Sequence, residues 1–396
     1  MMNNERWLLP EGIEELLPPQ AGRLEQLRRA VLDLFYGWGY ELVTPPLVEY
    51  LDSLLTGTGN DLNLQTFKLT DQLNGRTMGV RADITPQVAR IDAHRLSERK
   101  TPVRLCYQGT VLHTRGDGLG GPRSFTQVGA ELYGHSGVES DAEMVNLMLD
   151  TLALAGVDSV YVDLGHVGIF RALTQAAGLD AQQESQLFDA LQRKAVPEIQ
   201  SLLAALSVDT ETRQALEDLV WLNGGDEVLD KARLSLKGNA AALQALDEVA
   251  QVAQRVSRQQ PDLQLHFDLA ELRGFHYHTG VMFAAYQAGQ GRAIAQGGRY
   301  DDIGGVFGRA RPATGFSADL RALAVLGVDN MSAKTETSIF APADDSPRLI
   351  EKIRELRMAG QRVICELPGQ NGDASAAGCG KILVMQDGQW CVVDVA

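Results

Sequence analysis

The first half of this sequence is dominated by two apolar stretches, Val103-Arg-Leu-Cys-Tyr-Gln-Gly-Thr-Val-Leu112 and Ser124-Phe-Thr-Gln-Val-Gly-Ala-Glu-Leu-Tyr133. Both are rich in the β-branched and aromatic residues that favour strands. The link between them, residues 113–123, contains four glycines, which permit a reversal of the chain. The pattern predicts the two strands of one hairpin.

The second predicted strand has a polar face. Side chains alternate along a strand, so Gln127, Gly129 and Glu131 share one face, with Gln127 and Glu131 about 13 Å apart. The bare glycine between an amide and a carboxylate leaves room for a ligand that carries an ammonium or imidazole group. A face that is merely solvated would have the same pattern, so both interpretations stay open here.

Helix signals lie on the N-terminal side of the hairpin. Apolar residues recur every three or four positions over 20–36, which predicts an amphipathic helix, and the next stretch, 40–46, predicts a short strand ended by prolines. Before the hairpin, Thr85 is a predicted N-cap followed by Pro86. Asp83 and Thr85 would then face a small ligand near a helix N-terminus, although an ordinary capped helix would look the same.

On the C-terminal side of the hairpin, the predicted secondary structure changes along the chain. Residues 171–260 are rich in Ala, Leu and Gln and predict a helical insertion, whereas strand patterns return at 263–287. In the glycine-rich stretch 296–305, Gly297 and Gly298 either let the backbone approach a ligand or form a turn. An apolar helix is predicted over 315–326.

The last part of the sequence predicts a small separate domain. Residues 328–336 are small and polar, as in a linker. The tail that follows predicts a strand, a helix over 346–359, a strand over 361–367 and a hairpin with Asp387-Gly388 near its turn. We therefore expect a core domain over 1–328 and a small α/β domain over 329–396.

Composition argues against several classes of protein. The 396 residues include 36 Lys and Arg against 51 Asp and Glu, and the net charge of −15 repels nucleic-acid phosphates. No apolar run approaches the roughly 18 residues of a membrane span, and the N-terminus lacks an export signal, so we expect a cytoplasmic protein. The four cysteines lack metal-site spacing and His276 and His278 lack a third ligand, so we expect no metal and no other cofactor.

Five segments, in this order, resemble the catalytic core of class II aminoacyl-tRNA synthetases, most closely histidyl-tRNA synthetase. Residues 39–46 are similar to motif 1 of that family, the hairpin 103–134 to motif 2 and residues 315–323 to motif 3. Leu272-Arg-Gly-Phe-His-Tyr-His-Thr-Gly280 resembles the histidine-specific signature, and Gln296-Gly-Gly-Arg-Tyr-Asp301 resembles the G-G-R-Y-D element. The resemblance implies an α+β fold, an antiparallel sheet flanked by helices.

The main departures from the synthetase pattern concern ATP. Motif 2 of the family carries an F-R-x-E element whose arginine binds ATP, but His113 stands at the arginine position here. Motif 3 of the family ends in an ATP-binding arginine, whereas this sequence has Ala322 there and Arg321 one place earlier. Since preorganised cations stabilise the charge that develops at phosphorus, adenylate formation should be lost.

The amino-acid pocket of the synthetases is mostly kept. Two positions differ, because Asp83 replaces a glutamate and His278 replaces the second tyrosine of the histidine signature. The resemblance implies that histidine is bound, with its ammonium near Glu131 and Asp83, by these residues: Asp83, Thr85, Gln127, Glu131, Arg273 and Tyr300.

A chain with this pocket but without the ATP arginines resembles the regulatory subunits of ATP phosphoribosyltransferase, which are synthetase paralogues of bacterial histidine biosynthesis. The resemblance implies a non-catalytic protein that activates the short catalytic subunit in a hetero-octamer and mediates feedback inhibition by L-histidine. The short subunit condenses ATP with phosphoribosyl pyrophosphate. The resemblance also implies a self-dimer through the motif 1 region and no nucleic-acid or membrane partner.

Two other functions remain compatible with the sequence. A divergent synthetase-like enzyme that activates an amino acid would use Arg115, Arg123 or Arg321 in place of the lost cations. A free-standing adaptor would recruit another partner through the acidic helical region.

Overall fold

The structure, a computed structural model, describes residues 7–56, 60–116, 121–271, 277–327 and 338–395. The chain divides into two units, Met1–Asp329 and Asn330–Ala396. The predicted linker at 328–336 lies outside the described residues, so the domain boundary at 328/329 stays a prediction.

The larger unit combines twelve strands and twelve helices within the described ranges. The strands are β1 (Glu41–Leu42), β2 (Val48–Tyr50), β3 (Phe67–Thr70), β4 (Thr77–Val80), β5 (Val103–Leu112), β6 (Ser124–Tyr133), β7 (Val160–His166), β8 (Asn223–Gly224), β9 (Gln264–Asp268), β10 (Val281–Gln287), β11 (Ala295–Arg299) and β12 (Ala313–Asp319). The helices are α1 (Gln20–Gly37), α2 (Leu51–Leu55), α3 (Asn60–Gln65), α4 (Thr85–Arg95), α5 (Val138–Leu154), α6 (Val167–Ala176), α7 (Ala181–Gln192), α8 (Val196–Ala204), α9 (Thr210–Asp218), α10 (Glu227–Ser235), α11 (Ala240–Gln259) and α12 (Leu320–Leu326).

A nine-stranded sheet forms the centre of this unit in the part of the chain that the structure describes. Its strand order is β1-β5-β6-β12-β11-β10-β7-β9-β8, while β2, β4 and β3 form a separate small sheet. The pairs β1–β5 and β7–β9 are parallel. The other six pairs are antiparallel. The predicted α+β fold, with an antiparallel sheet and flanking helices, is confirmed.

The predicted hairpin is β5 and β6. Its register pairs Tyr107 with Gly129, and β6 pairs on its other edge with β12. Ile84 and Val88 at the start of α4 join Tyr107 and Tyr133 in one apolar cluster over this part of the sheet. Both α4 side chains are fully buried, which contributes about 1.5–3 kcal/mol each.

The predicted helix over 20–36 is α1. It buries Leu27, Val31 and Phe35, which recur every four residues and form its apolar stripe. The ring of Phe35 meets Phe316 of β12 edge to face, with ring centroids 6.0 Å apart. The helix therefore packs against the central strands through the face that the sequence pattern indicated.

Two predicted elements near the C-terminal end of this unit are wrong in part. The predicted helix over 315–326 begins only at Leu320, and residues 313–319 form β12. The glycine-rich stretch starts as β11, so Gly297 and Gly298 lie within a strand and not in a turn. Pairing of β12 with β6 and β11 supplies backbone hydrogen bonds on both edges, which overrides the local pattern.

The predicted N-cap role of Thr85 is also wrong. Thr85 is the first helical residue of α4, and Ile84 takes the cap position without a side-chain hydrogen bond. The N–H of Thr85 donates to the Asp83 carboxylate (3.0 Å) instead. This arrangement frees the Thr85 hydroxyl, which lies 2.9 Å from the Tyr107 hydroxyl.

The predicted helical insertion contains helices α6 to α11 and one short strand, β8, that its pattern did not indicate. The last of these helices, α11, packs against α5 and α6 through a buried stripe that includes Leu246, Val249 and Val256. Like every other helix within the described ranges, α11 is not apolar enough to cross a membrane.

The smaller unit has the predicted order of strand, helix, strand and hairpin. Its elements are β13 (Ile339–Ala341), α13 (Pro347–Met358), β14 (Val363–Cys365), β15 (Lys381–Gln386) and β16 (Gln389–Asp394). The sheet order is β14-β13-β15-β16, and α13 covers one face through Leu349 and Ile353. Asp387 and Gly388 have φ values of +48° and +78°, as a two-residue hairpin turn requires.

Candidate functional site

An acidic cavity of about 300 Å³ lies among α4 and the strands β6, β7, β10, β11 and β12. Four carboxylate side chains line it, from Asp83, Glu131, Asp163 and Glu271. The described lining residues include no lysine or arginine. A concave site with low-dielectric walls and one sign of charge concentrates ligands of the opposite charge, so this cavity suits a cationic group.

Glu131 lies at the closed end of the cavity, only 1% exposed. One carboxylate oxygen accepts a hydrogen bond from the Tyr107 hydroxyl (3.0 Å), and the other accepts one from the Tyr300 hydroxyl. The Tyr107 hydroxyl also contacts Thr85, so α4, β5, β6 and the residue directly after β11 converge on one carboxyl group. Both hydrogen bonds are made by neutral groups, so this carboxyl group is not paired with a described cation.

Burial changes the protonation of this carboxyl group. Removal from water raises the pKa of Glu131 from its ordinary value of 4.5 to about 8, against the lowering effect of the Tyr300 and Tyr107 hydrogen bonds. Asp83 raises it further through charge repulsion. A cation placed beside Glu131 would favour its ionised form.

Asp83, Thr85 and Gln127 form a second polar network. The Gln127 amide donates to the Asp83 carboxylate (2.7 Å) and accepts from the backbone N–H of Ile84 (2.9 Å). Gln127 therefore bonds to residues beside the start of α4, and Glu131 is linked to Thr85 of α4 through the Tyr107 hydroxyl. Asp83 and Thr85 line the cavity, whereas Gln127 lines the adjacent groove and touches the cavity through Asp83.

Aromatic rings and glycines shape the rest of the cavity. The Tyr277 ring lies 5.1 Å from that of Tyr300, and both line the cavity. A Cβ at Gly297 would come within 2.7 Å of the Phe283 ring, and one at Gly298 within 2.7 Å of the His278 ring. The glycines of β11 thus make room for side chains of the neighbouring strand and loop, which gives them a packing role.

Asp163 and Glu271 are cavity residues that the sequence analysis missed. Asp163 lies on β7, 3.0 Å from the imidazole of His266 on the paired strand β9. Burial raises the pKa of Asp163, an effect partly offset by His266. Asp163 lies outside the motif-like stretches and reaches the cavity through the pairing of β7 with β9 and β10, whereas Glu271 directly precedes the stretch 272–280 and was given no role.

The predicted site residues are distributed as follows. Asp83, Thr85, Glu131 and Tyr300 line one cavity, and Gln127 is bonded to its edge. Arg273 and His276 lie outside the described residues. Tyr107 was missed, although the glycine opposite it in the hairpin register, Gly129, was a usable signal because it leaves space for a large ring. Among the described residues, no group of three or more potential ligands could hold a metal ion.

A larger and more open groove, of about 1010 Å³, adjoins the cavity. His113, Arg321 and Ala322 line it, so the positions at which the sequence departs from the ATP-binding elements of the synthetases face one space. The His113 ring contacts the Ala82 carbonyl (2.9 Å) and packs on Phe125. Arg23 and Arg292 also line the groove.

Two arginines considered as substitutes for the missing cations are engaged elsewhere. Arg321 donates to the Ser124 carbonyl (3.2 Å) and lies 3.5 Å from the Glu14 carboxylate. Arg123 donates to the carbonyls of His113 (3.1 Å) and Glu11 (3.2 Å). Both guanidinium groups therefore hold the backbone around the groove.

Comparison with known proteins identifies relatives along the whole chain. The sequence profile of the histidyl-tRNA synthetase family matches residues 12–323, and that of the ATP phosphoribosyltransferase subunit HisZ C-terminal domain matches residues 336–393. An ATP phosphoribosyltransferase regulatory subunit of Thioalkalivibrio sulfidiphilus is 59% identical, over 100% of both chains. The protein of that name from Alkalilimnicola ehrlichii is 57% identical over 97% of this chain and 96% of its own.

Solved structures agree with this assignment. A crystal structure described as an ATP phosphoribosyltransferase regulatory subunit/histidyl-tRNA synthetase from Bacillus halodurans C has a TM-score of 0.82 and 27% identity, covering 94% of this chain and 95% of its own. Histidyl-tRNA synthetase from Nostoc sp. PCC 7120 has a TM-score of 0.79 over 98% of this chain and 97% of its own, at 19% identity, and so shares the fold. This chain belongs to the family of ATP phosphoribosyltransferase regulatory subunits, built on a histidyl-tRNA synthetase fold.

Proposed function

We propose that this chain is the non-catalytic regulatory subunit of ATP phosphoribosyltransferase in histidine biosynthesis, and that L-histidine bound in the acidic cavity mediates feedback inhibition. The family assignment supplies the partner, the short catalytic subunit that forms phosphoribosyl-ATP. The observation that supports histidine as the effector is the position of Glu131. Its buried carboxyl group is held by two tyrosines in a cavity whose described lining includes no lysine or arginine.

The proposed pose uses the predicted residues. The ammonium group of histidine lies near Glu131 and Asp83, where charge-assisted hydrogen bonds are strong because water is excluded. Thr85, Gln127 and Tyr300 orient the ligand, directly or through Asp83 and Glu131. Arg273, which the family resemblance assigns to the ligand carboxylate, belongs to the proposal and lies outside the described residues.

The lack of catalysis is part of the proposal. The groove beside the cavity presents His113 and Ala322 where the synthetases have ATP-binding arginines. Arg123 and Arg321 donate to backbone carbonyls and so help to hold the backbone around the groove. Since adenylate formation needs preorganised cations at phosphorus, this groove favours a sensor over an amino-acid-activating enzyme.

Assembly completes the proposal. We place a self-dimer at the motif 1 region, residues 39–46, because Tyr36, Leu42 and Leu47 expose large apolar side chains in or beside it. We also propose a hetero-octamer with the catalytic subunit, as the family resemblance implies. The net charge of −15 supports the absence of a nucleic-acid partner. A reducing cytoplasm agrees with four free cysteines at positions 106, 365, 379 and 391.

The test is phosphoribosyl-ATP formation by the short catalytic subunit, with and without this chain, across a histidine titration. We expect activation by the chain and its reversal by histidine, since an effector must bind the inhibited assembly more tightly than the active one. No change in rate and no co-elution of the two proteins would refute the regulatory role. Histidine-dependent ATP–pyrophosphate exchange by the isolated chain would then support the synthetase-like alternative.

A further inference from the structure

One wall of the acidic cavity is backed by the segment 268–271, which starts at the last residue of β9. Glu271 lines the cavity directly, and Gly165 of β7 lines it in front of Asp268. A Cβ at Gly165 would lie 2.8 Å from the Asp268 carbonyl oxygen, so no side chain fits between the two backbones. Any shift of the segment 268–271 therefore changes the shape of the cavity.

The helical insertion holds this segment at several points. Asn223 of β8 pairs with Asp268, and the Leu269 N–H donates to the Leu222 carbonyl (3.0 Å). The ammonium of Lys194, in the turn between α7 and α8, donates to the Asp268 carboxylate (2.9 Å). The other Asp268 oxygen accepts from the Ala270 N–H (3.0 Å), which ties the lysine to the backbone of the wall.

Lys194 also has an unusual backbone conformation. Its φ of +49° lies in the left-handed region, where a helix ends more easily with glycine. The side chain of Lys194 reaches from this turn of the insertion to Asp268 at the cavity wall. A strained residue with a specific long-range contact points to a positioning role.

We infer that Lys194 is a positioning residue through which the helical insertion and the effector cavity are coupled. The insertion fixes the wall that carries Glu271, and ligand binding against that wall in turn fixes the turn between α7 and α8. By thermodynamic reciprocity, the free energy by which the insertion favours ligand binding equals the free energy by which the bound ligand stabilises this turn. The inference rests on the proposed function, because it takes histidine as the ligand of the cavity.

The experiment measures histidine binding to the full chain by calorimetry. We expect Lys194→Met to weaken binding about fivefold and Lys194→Arg to remain within about twofold of the unsubstituted chain, since a partly exposed charge pair contributes modestly. The matched control is Arg193→Met in the same turn. Arg193 pairs with Glu198, both largely exposed, and should leave the affinity unchanged.

A second readout separates positioning from general stability. We expect histidine to slow amide hydrogen exchange in residues 181–204 of the unsubstituted chain, and this protection to be lost in Lys194→Met. Lys194 is about half exposed, 48%, so the melting temperature should change by no more than about 4 °C. If Lys194→Met fails to fold, Lys194→Gln, which keeps a polar side chain, takes its place.

The outcomes distinguish the two proposals. Equal histidine affinity in Lys194→Met and the unsubstituted chain, with unchanged exchange protection, would overturn the coupling and leave the effector site intact. If the unsubstituted chain binds no histidine, the effector site itself fails and the inference fails with it.

Discussion

The acidic cavity and the adjoining groove share Asp83, Gln296 and Ser317 as lining residues, yet their charged groups are used differently. In the cavity, Glu131 and Asp83 are held by hydroxyl, amide and backbone donors, which fix the positions of the two carboxyl groups without pairing them with a described cation. In the groove, Arg321 binds a backbone carbonyl and a carboxylate. A carboxyl group that is held in place but has no cationic partner is available to a cationic ligand. An arginine that is already bonded within the protein instead supports the surrounding backbone.

The largest expected effect is at Glu131. Glu131→Ala removes the buried carboxyl group, and we expect histidine affinity to fall at least about thirtyfold, because loss of one partner from a buried charged hydrogen bond costs about 2–5 kcal/mol. Calorimetry measures the histidine affinity, and the feedback assay on the assembled enzyme measures inhibition by histidine. Activation of the catalytic subunit should persist.

Glu131→Gln is the matched control for packing, because it keeps the shape of the side chain and removes the charge. It should fold like the original chain and still bind histidine weakly. Unaltered histidine feedback in Glu131→Ala would remove this cavity from the sensing mechanism.

A smaller effect follows from the pKa of Glu131. At pH 7 a carboxyl group with a pKa of about 8 is about nine-tenths protonated, and a bound ammonium group lowers that pKa, so binding releases a proton. Histidine affinity should therefore rise about fivefold from pH 7 to pH 8, where half of the carboxyl groups are already ionised. Calorimetry in two buffers of different ionisation enthalpy measures both affinity and proton release. Affinity that falls over this range would show that Glu131 is not the cation partner, and Glu131→Gln should abolish the dependence.

The smallest effect is expected in the groove. Arg321→Ala removes a guanidinium that lies beside an exposed Glu14, so histidine affinity should change by less than about twofold. The same calorimetric titration tests this prediction. A loss comparable to that in Glu131→Ala would mean that the cavity and groove act as one ligand site, and the contrast between them would have to be abandoned.

Local patterns predicted the parts of this fold whose contacts are local. The hairpin of β5 and β6, the helix α1 and the turn at Asp387-Gly388 follow from alternation, helical spacing and turn chemistry. The strand β12 did not follow, because its partners β6 and β11 supply the hydrogen bonds that override an apolar, helix-like pattern. Tertiary pairing, which a single sequence does not display, decided that element.

The residues of the candidate site also include some that local patterns predicted and some that they did not. Asp83 and Thr85 were found from a helix start, but the roles differ, since Asp83 accepts the backbone N–H and the Thr85 hydroxyl meets Tyr107. Asp163 was not found, because it reaches the cavity only through pairing within the sheet, and Glu271, directly before the stretch 272–280, was given no role. The family resemblance supplied the residues that form motifs, and the fold supplied the others.

The pairing of Glu131 with Gly315 has a consequence for how the chain folds. The hairpin of β5 and β6 is local and can form early, but the cavity lacks a side until β12, near the end of the larger unit, has docked on β6. Contacts between such distant segments slow folding. During synthesis the ribosome must release almost the whole larger unit before the acidic cavity can exist, so the proposed effector site is completed only at the last stage of folding.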